Sequence, residues 1–151
     1  KLKETGAPLA GEMSGHIFFA DRWFGVDDGL YAAARLLEVL SLSDKTCDRV
    51  FEDFKTGITT PELQIKTTED GKFRIVKQLC AQAGQFGGGS PTTLDGLRVD
   101  YPDGWGLVRA SNTTPLLIAR FEGKDEEALA RIKQQFHKQL AAIDSSLELP
   151  F

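Results

Sequence analysis

The 151-residue chain has no excess of positive charge: 18 Lys and Arg face 22 Asp and Glu, for a formal net charge of −4. Nucleic-acid binding depends on a basic surface, because contacts to phosphates supply most of the affinity. A nucleic-acid partner is therefore disfavoured. No apolar run approaches the ~20 residues that a membrane span requires, and no charged-then-apolar leader opens the chain. We expect no membrane association, no secretion and a cytoplasmic location.

Cysteine is equally scarce. The chain has two, Cys47 and Cys80, and neither belongs to a CxxC pair. That spacing argues against a zinc or dithiol motif, and we expect two buried, reduced thiols in helices. The glycine-rich stretch 84–91 lacks the GK[ST] of a P-loop and the strand-then-helix context of a dinucleotide site. We interpret it as a flexible connector.

Hydrophobic periodicity predicts an α+β domain over residues 59–151. Alternation over 61–67 predicts a strand, and a capping arrangement at Thr67 and Asp70 predicts that a helix follows. The apolar face of that helix is expected at Phe73, Val76, Leu79, Cys80 and Ala83. Three further strands are expected at 97–101, 105–108 and 116–121, joined as an antiparallel meander.

The last helix carries the clearest pattern. Apolar residues recur at spacings of three and four, and acidic residues fill the first turn, where the helix dipole favours them. The apolar stripe comprises Leu129, Ile132, Phe136, Leu140 and Ile143. The element order βαβββα therefore predicts a four-stranded antiparallel sheet with two helices.

Residues 1–58 show too few strands to close a sheet of their own, which indicates an incomplete α/β domain fragment. The apolar run at 16–25 predicts a strand, followed by a loop and then a helix with a stripe from Leu30 to Leu40. Asp27 and Asp28 lie where a helix N-terminus favours negative charge, so capping is preferred to a metal-binding role. A second, weaker helix is expected over 44–54.

The segment Arg109-Ala-Ser111-Asn112-Thr113-Thr-Pro places a guanidinium, hydroxyls and a carboxamide in one short turn without a carboxylate. Arginine presents a planar fork of donors that matches an oxyanion, and the neighbouring side chains and N–H groups can satisfy its remaining oxygens. Such a segment suits a phosphate clamp. It also suits an ordinary hairpin turn, because Ser and Asn hydrogen-bond their own backbone.

A second constellation is Gly11-Glu12-Met13-Ser14-Gly15-His16. Glu12 could accept hydrogen bonds from two neighbouring hydroxyls, as on a sugar ring, and His16 could donate to a phosphate or relay a proton near neutral pH. The alternative is a glycine-bounded loop whose glutamate faces water. Together, a loop suited to hydroxyls and a turn suited to phosphate point to a phosphosugar ligand.

These two motifs carry a specific resemblance. GEMSGH followed by RASNTTP resembles the phosphomannomutase/phosphoglucomutase branch of the α-D-phosphohexomutases, whereas the phosphoglucosamine mutase branch has GEQSGH-like and RPSGTEP-like loops. The resemblance extends to Arg22-Trp-Phe-Gly25, Thr93-Leu-Asp-Gly96 and Asp144-Ser-Ser-Leu147. It covers the end of the third of four family domains, residues 1–58, and the whole of the fourth, residues 59–151.

The resemblance implies a phosphoryl transfer between an enzyme phosphoserine and a hexose monophosphate, through a 1,6-bisphosphate. Glu12, Ser14 and His16 would bind the sugar, with His16 as a candidate proton relay. The phosphate would be held by Arg109, Ser111, Asn112 and Thr113. The family's phosphoserine loop, TASHNP, and magnesium loop, DGDGDR, do not occur in this chain. We therefore expect Mg²⁺ and the nucleophile to be supplied by the remaining domains of a longer parent protein or by a second chain.

Two other hypotheses remain open at this point. A free-standing phosphosugar-binding module would use the same two loops without catalysis. An α+β protein-interaction domain whose turn merely resembles the clamp would have no affinity for phosphosugars. The resemblance does not distinguish mannose from glucose phosphates.

Overall fold

The computed structural model describes residues 2–12, 14–52, 54 and 57–151. The chain divides into two compact units, Lys1–Lys55 (unit 1) and Thr56–Phe151 (unit 2). Among the described residues, every helix is too short or too polar to cross a membrane.

Unit 1 contains a short hairpin and a helix. Helix α1 (Leu2–Thr5) precedes strands β1 (Leu9–Gly11) and β2 (Ile17–Phe19), which pair antiparallel, and helices α2 (Gly29–Ser41) and α3 (Cys47–Phe51) follow. The predicted strand over 16–25 is confirmed only at 17–19. The predicted helix over 44–54 covers 47–51, and its residue 53 lies outside the described part. The Asp28 carboxylate caps α2 by accepting from the Tyr31 N–H.

The apolar residues of α2 are not buried. Leu30 and Leu37 on the predicted stripe are 87% and 66% exposed, and none of the residues of α2 reaches full burial. The apolar pattern of α2 therefore predicted the helix correctly but not its burial.

The expectation of two buried thiols is also wrong, because Cys47 is exposed and Cys80 is only half-buried. Burial of Cys80 raises the pKa of its thiol.

Unit 2 is an antiparallel sheet with helices packed on it. Its strands are β3 (Ile58–Thr59), β4 (Leu63–Lys66), β5 (Ser90–Thr92), β6 (Leu97–Tyr101), β7 (Gly104–Ala110) and β8 (Leu116–Gly123). β6, β7 and β8 form the predicted meander, and β3 and β4 pair with successive parts of β8. The predicted order βαβββα is confirmed, and β3 and β5 extend the sheet at its edges.

Helices α4 (Glu69–Ala81) and α5 (Glu126–Ile143) contact the sheet. Alternate residues of β6, namely Leu97, Val99 and Tyr101, turn inward to meet them. The buried core comprises Ile65, Ile75, Leu79, Phe86, Leu97, Val99, Tyr101, Val108, Leu117, Ala119, Phe121, Ile132, Phe136 and Leu140.

The start and face of α4 differ from the prediction. Its N-cap is Thr68, whose hydroxyl accepts from the Gly71 N–H, rather than Thr67. Phe73, expected in the apolar face, is 56% exposed, whereas Lys72 and Ile75 are completely buried. The buried face is therefore rotated by about one residue from the pattern of apolar side chains, because a lysine occupies an interior position.

The glycine-rich stretch is packed rather than a free connector. It overlaps the 3₁₀ turn Ala83–Gln85 and most of β5, and Phe86 between them is 2% exposed. A Cβ on Gly89 would lie 2.3 Å from the Val99 side chain, so glycine is needed for the backbone to approach β6. Apolar alternation could not reveal β5, because Ser-Pro-Thr pairs through its backbone and stays exposed.

Candidate functional site

The predicted phosphate turn joins β7 to β8. The Ser111 N–H donates to the Leu116 carbonyl at 2.9 Å and closes the hairpin, while the Leu116 N–H donates to the Thr114 carbonyl at 2.8 Å. The Thr67 N–H reaches the Pro115 carbonyl at 3.2 Å and ties the turn to the chain after β4. Backbone hydrogen bonds therefore hold both ends of the turn.

The Ser111 side chain orders the turn from inside. Its residue is 8% exposed, and its hydroxyl lies 2.7 Å from the Thr114 hydroxyl. It also accepts from the Thr114 N–H at 3.2 Å and the Thr113 N–H at 3.4 Å. These contacts are those of a serine-stabilised turn. The turn-forming interpretation is therefore confirmed for Ser111, and anion binding by the same segment stays a prediction.

Three residues of the turn, Arg109, Asn112 and Thr113, keep donors that bind no other group in the described part of the chain. Among the described residues, no carboxylate lies within ion-pair distance of the half-buried Arg109 guanidinium. In the same set, the Asn112 backbone N–H and carboxamide and the Thr113 hydroxyl make no hydrogen bond, and both residues are exposed. A cationic fork, an amide and a hydroxyl are donors that an oxyanion can accept.

Gly96 fixes the backbone beneath Arg109. Gly96 has a φ of +82°, and a Cβ there would lie 2.3 Å from the Val108 carbonyl and 2.7 Å from the Arg109 Cα. A side chain would therefore collide with main chain that cannot move independently of β7. The Thr93–Gly96 segment thus packs against the strand that carries the arginine.

The predicted sugar loop joins β1 to β2 in unit 1. The Glu12 N–H donates to the His16 carbonyl at 2.9 Å, and the Gly15 N–H to the Glu12 carbonyl at 3.0 Å. Gly15 has a φ of +89°, which explains the glycine at this tight turn. The Ser14 hydroxyl donates to a Glu12 carboxylate oxygen at 3.1 Å. Glu12, Ser14 and His16 are all exposed, and Met13 of the motif lies outside the described residues.

His16 is paired with Asp27. Their Nδ1 and Oδ2 atoms lie 2.6 Å apart, and the two side chains are 54% and 45% exposed. The hydrogen bond to Asp27, followed by the charge of that carboxylate, raises the pKa of His16 above its ordinary 6.5. The pair orients the imidazole through Nδ1 and leaves Nε2 for another partner. The two adjacent aspartates therefore have different roles, since Asp28 caps α2 and Asp27 holds His16.

We predict that Asp27→Asn lowers the pKa of His16, because the variant loses the carboxylate charge that favours the imidazolium. The shift is measurable by NMR titration of the imidazole resonances. The pairing contributes stability below the unfolded pKa of ~6.5, and this contribution disappears as pH rises through the higher folded pKa. An unchanged His16 pKa in the variant contradicts the pairing.

Metal binding has no structural support within residues 2–12, 14–52, 54 and 57–151. No group of three or more His, Cys, Asp or Glu side chains in that part of the chain could hold an ion.

The roles of Asp27 and Gly96 were not predicted from the sequence. Asp27 was grouped with its neighbour as a cap, although one carboxylate suffices to cap a helix, so the second was free for another role. The packing of Gly96 beneath Arg109 has no sequence signal beyond a glycine in a turn. Within each loop the structure brings the predicted residues together, Glu12 with Ser14 and Ser111 with Thr113.

Comparison with known proteins identifies the family. Residues 62–139 match the family model for the phosphoglucomutase/phosphomannomutase C-terminal domain, and residues 1–56 match that for the phosphoglucomutase/phosphomannomutase alpha/beta/alpha domain III. A phosphomannomutase/phosphoglucomutase of Pseudomonas aeruginosa is 62% identical over all of this chain. A phosphoglucomutase of Neisseria gonorrhoeae is 50% identical over 98% of it. The chain spans 32% of the length of each of these two relatives.

A solved structure agrees with the match. The crystal structure of a phosphoglucomutase/phosphomannomutase family protein from Burkholderia thailandensis aligns with a TM-score of 0.85 and 48% identity, over 99% of this chain and 31% of that protein. The predicted resemblance and the α+β fold class are confirmed. The chain therefore belongs to the phosphoglucomutase/phosphomannomutase family and corresponds to its domain III and C-terminal domain.

Proposed function

We propose that this chain is the substrate-binding portion of a phosphohexomutase that interconverts hexose 1-phosphates and hexose 6-phosphates of mannose and glucose. The reaction passes through a phosphoserine enzyme and a hexose 1,6-bisphosphate. The observation that carries the proposal is the turn at 109–115, where the Arg109 guanidinium, the Asn112 amides and the Thr113 hydroxyl have no protein partner among the described residues. The family match supplies the substrate class.

Each of the two loops binds a different part of the substrate. Arg109, Asn112 and Thr113 bind the phosphate that is not reacting, and Ser111 joins them or keeps the turn in shape. Glu12 and Ser14 bind the 3- and 4-hydroxyls of the sugar. Those hydroxyls exchange places when the sugar turns over, so one loop serves both orientations that the reaction needs. Phosphoryl transfer asks mainly for positioning and charge stabilisation, which such contacts supply.

His16 is proposed as a proton relay near the sugar. Its pairing with Asp27 favours the protonated imidazole, which can donate through Nε2. Mg²⁺ would neutralise charge on the transferred phosphoryl group when bound. Its ligands and the phosphoserine would be supplied by other domains of the complete protein, because the TASHNP and DGDGDR loops of the family do not occur in this chain.

Glucose 1-phosphate binding to the 151-residue chain tests the recognition half of the proposal. We expect a dissociation constant in the millimolar range, roughly −4 kcal/mol, because other domains supply the rest of the binding cleft. NMR titration should perturb the amides of 109–114 and the Glu12 and Ser14 amides. The free-standing module predicts the same perturbations, whereas an interaction domain with a fortuitous turn predicts none.

We predict that the chain alone does not convert glucose 1-phosphate into glucose 6-phosphate, because neither a TASHNP nor a DGDGDR loop occurs in it. A coupled mutase assay with glucose 1,6-bisphosphate as activator measures the rate. Background turnover is the expected result, and the complete protein provides the positive control. Turnover by the purified chain contradicts the assignment of the nucleophile to other domains.

A further inference from the structure

Lys72 is a charged residue in the interior of unit 2. Its side chain is 0% exposed although it lies near the start of α4. Burying an ammonium group is costly unless the group is paired and hydrogen-bonded. The contacts of Lys72 therefore account for its presence among apolar side chains.

Those contacts join two distant parts of the chain. The Lys72 Nζ donates to the Thr114 carbonyl at 3.0 Å, across 42 residues of sequence. It also lies 2.5 Å from a carboxylate oxygen of Glu69, one turn earlier on α4, and 4.9 Å from the centre of the Phe73 ring. The local carboxylate compensates the charge, and the long-range hydrogen bond reaches the turn proposed to bind phosphate.

The direction of the Thr114 carbonyl matters to an anion. Carbonyl oxygens repel a phosphate and N–H groups attract it. The Thr114 oxygen accepts from both the Lys72 Nζ and the Leu116 N–H, so two donors hold it towards the protein. The Thr114 hydroxyl and N–H meanwhile contact the Ser111 hydroxyl.

We propose that Lys72 is a positioning residue for phosphate recognition. It holds the Thr114 carbonyl inward and keeps the turn in the conformation that leaves Asn112 and Thr113 donors free. The inference rests on the proposed function, since it assumes that this turn binds phosphate. Replacing the lysine leaves the backbone hydrogen bond from Thr67 to Pro115 in place. The turn should therefore loosen while staying anchored to the chain that follows β4.

The test compares Lys72→Met with Lys77→Met in the 151-residue chain. Lys77 lies on the same helix and is exposed, so its replacement removes the same charge without touching the turn. Glucose 1-phosphate is titrated into ¹⁵N-labelled protein and the shifts of folded resonances are fitted. We expect Lys72→Met to raise the dissociation constant about fivefold, and Lys77→Met to leave it unchanged. A merely structural lysine lowers the melting temperature without changing this constant.

Salt separates positioning from simple attraction. Long-range attraction between Lys72 and the ligand is screened at high NaCl, whereas a change in the shape of the turn is not. The difference between Lys72→Met and wild type should therefore persist at high salt. Equal constants for Lys72→Met and Lys77→Met, or a difference that salt removes, overturn the inference.

Wild-type protein offers a measurement that does not depend on folding of the variant. At saturating glucose 1-phosphate the ammonium resonance of Lys72 should shift together with the Thr113 and Thr114 amides. A stationary Lys72 signal beside shifting amides overturns the inference. Arg109→Ala separates the proposal that the turn binds phosphate from the proposal that Lys72 positions the turn. Binding that depends on Arg109 but not on Lys72 overturns only the role of Lys72, whereas absence of wild-type binding overturns the proposed function and this role with it.

Discussion

Arg109→Ala is expected to weaken phosphosugar binding by ~1.5–3 kcal/mol in the complete protein, the range for hydrogen bonds to a charged partner. Among the described residues, the guanidinium has no carboxylate partner to release, so the substitution removes donors from the ligand without exposing a protein anion. The backbone at Arg109 is held by its pairing with β8 and by the approach of Gly96, so the turn should persist. The dissociation constant for glucose 1-phosphate, measured by calorimetry, checks the effect.

Arg74→Ala is the matched control. Arg74 lies on α4, is 53% exposed and pairs with Asp144, so its replacement also removes one positive charge from unit 2. Exposed ion pairs of this kind contribute little. We expect near wild-type affinity for Arg74→Ala, and equal affinities for the two variants would contradict the phosphate clamp.

The sequence predicted the elements that depend on local pattern. Helix α5 combines an acidic first turn with a regular apolar stripe, and the structure begins it after the Asp125 cap and buries Ile132, Phe136 and Leu140. Local capping and long-range packing favour the same helix. The meander β6–β8 could also be predicted from the sequence. Apolar and polar residues alternate along half-buried strands, and a Pro-Asp-Gly turn separates two of these strands.

Other features depend on contacts that a linear pattern does not contain. The position of Lys72 inside unit 2 becomes intelligible only when Thr114, 42 residues later, is placed beside it. The partnership of His16 with Asp27 requires the β1–β2 hairpin to lie beside the start of α2. Charged side chains usually face water, so a sequence alone gives no signal that Lys72 is buried against a distant carbonyl.

The candidate site also combines features that the sequence predicts with features that depend on folding. The chemistry of the turn was predicted from residue types, because a guanidinium, an amide and hydroxyls without a carboxylate suit an anion. Which donors remain free depends on the folded turn. The Ser111 hydroxyl is engaged with Thr113 and Thr114, while Asn112 has none of these contacts. Direct phosphate binding by Ser111 stays a prediction that the titration described above can test.

Phe136→Ala is expected to reduce the free energy of unfolding of unit 2 by ~3–5 kcal/mol, the usual cost of removing a fully buried aromatic side chain. The Phe136 ring lies 4.6 Å from Phe86 and 5.3 Å from Phe121, measured between ring centres. It also covers Gly106, where a Cβ would lie 2.3 Å from the ring. These neighbours lie on a loop and on two paired strands and cannot all move to close the space, so a cavity should remain.

Urea denaturation followed by tryptophan fluorescence measures the loss. The chain has one tryptophan in each unit, and a Trp23→Phe background leaves Trp105 of β7 as the reporter of unit 2. Phe73→Ala is the control, because that ring is 56% exposed and its removal should cost less than ~1 kcal/mol. If both alanine variants lose the same stability, the α5 stripe does not form the centre of the core. A selective loss in Phe136→Ala places the stability of unit 2 in the packing that also supports β7, the strand that carries Arg109.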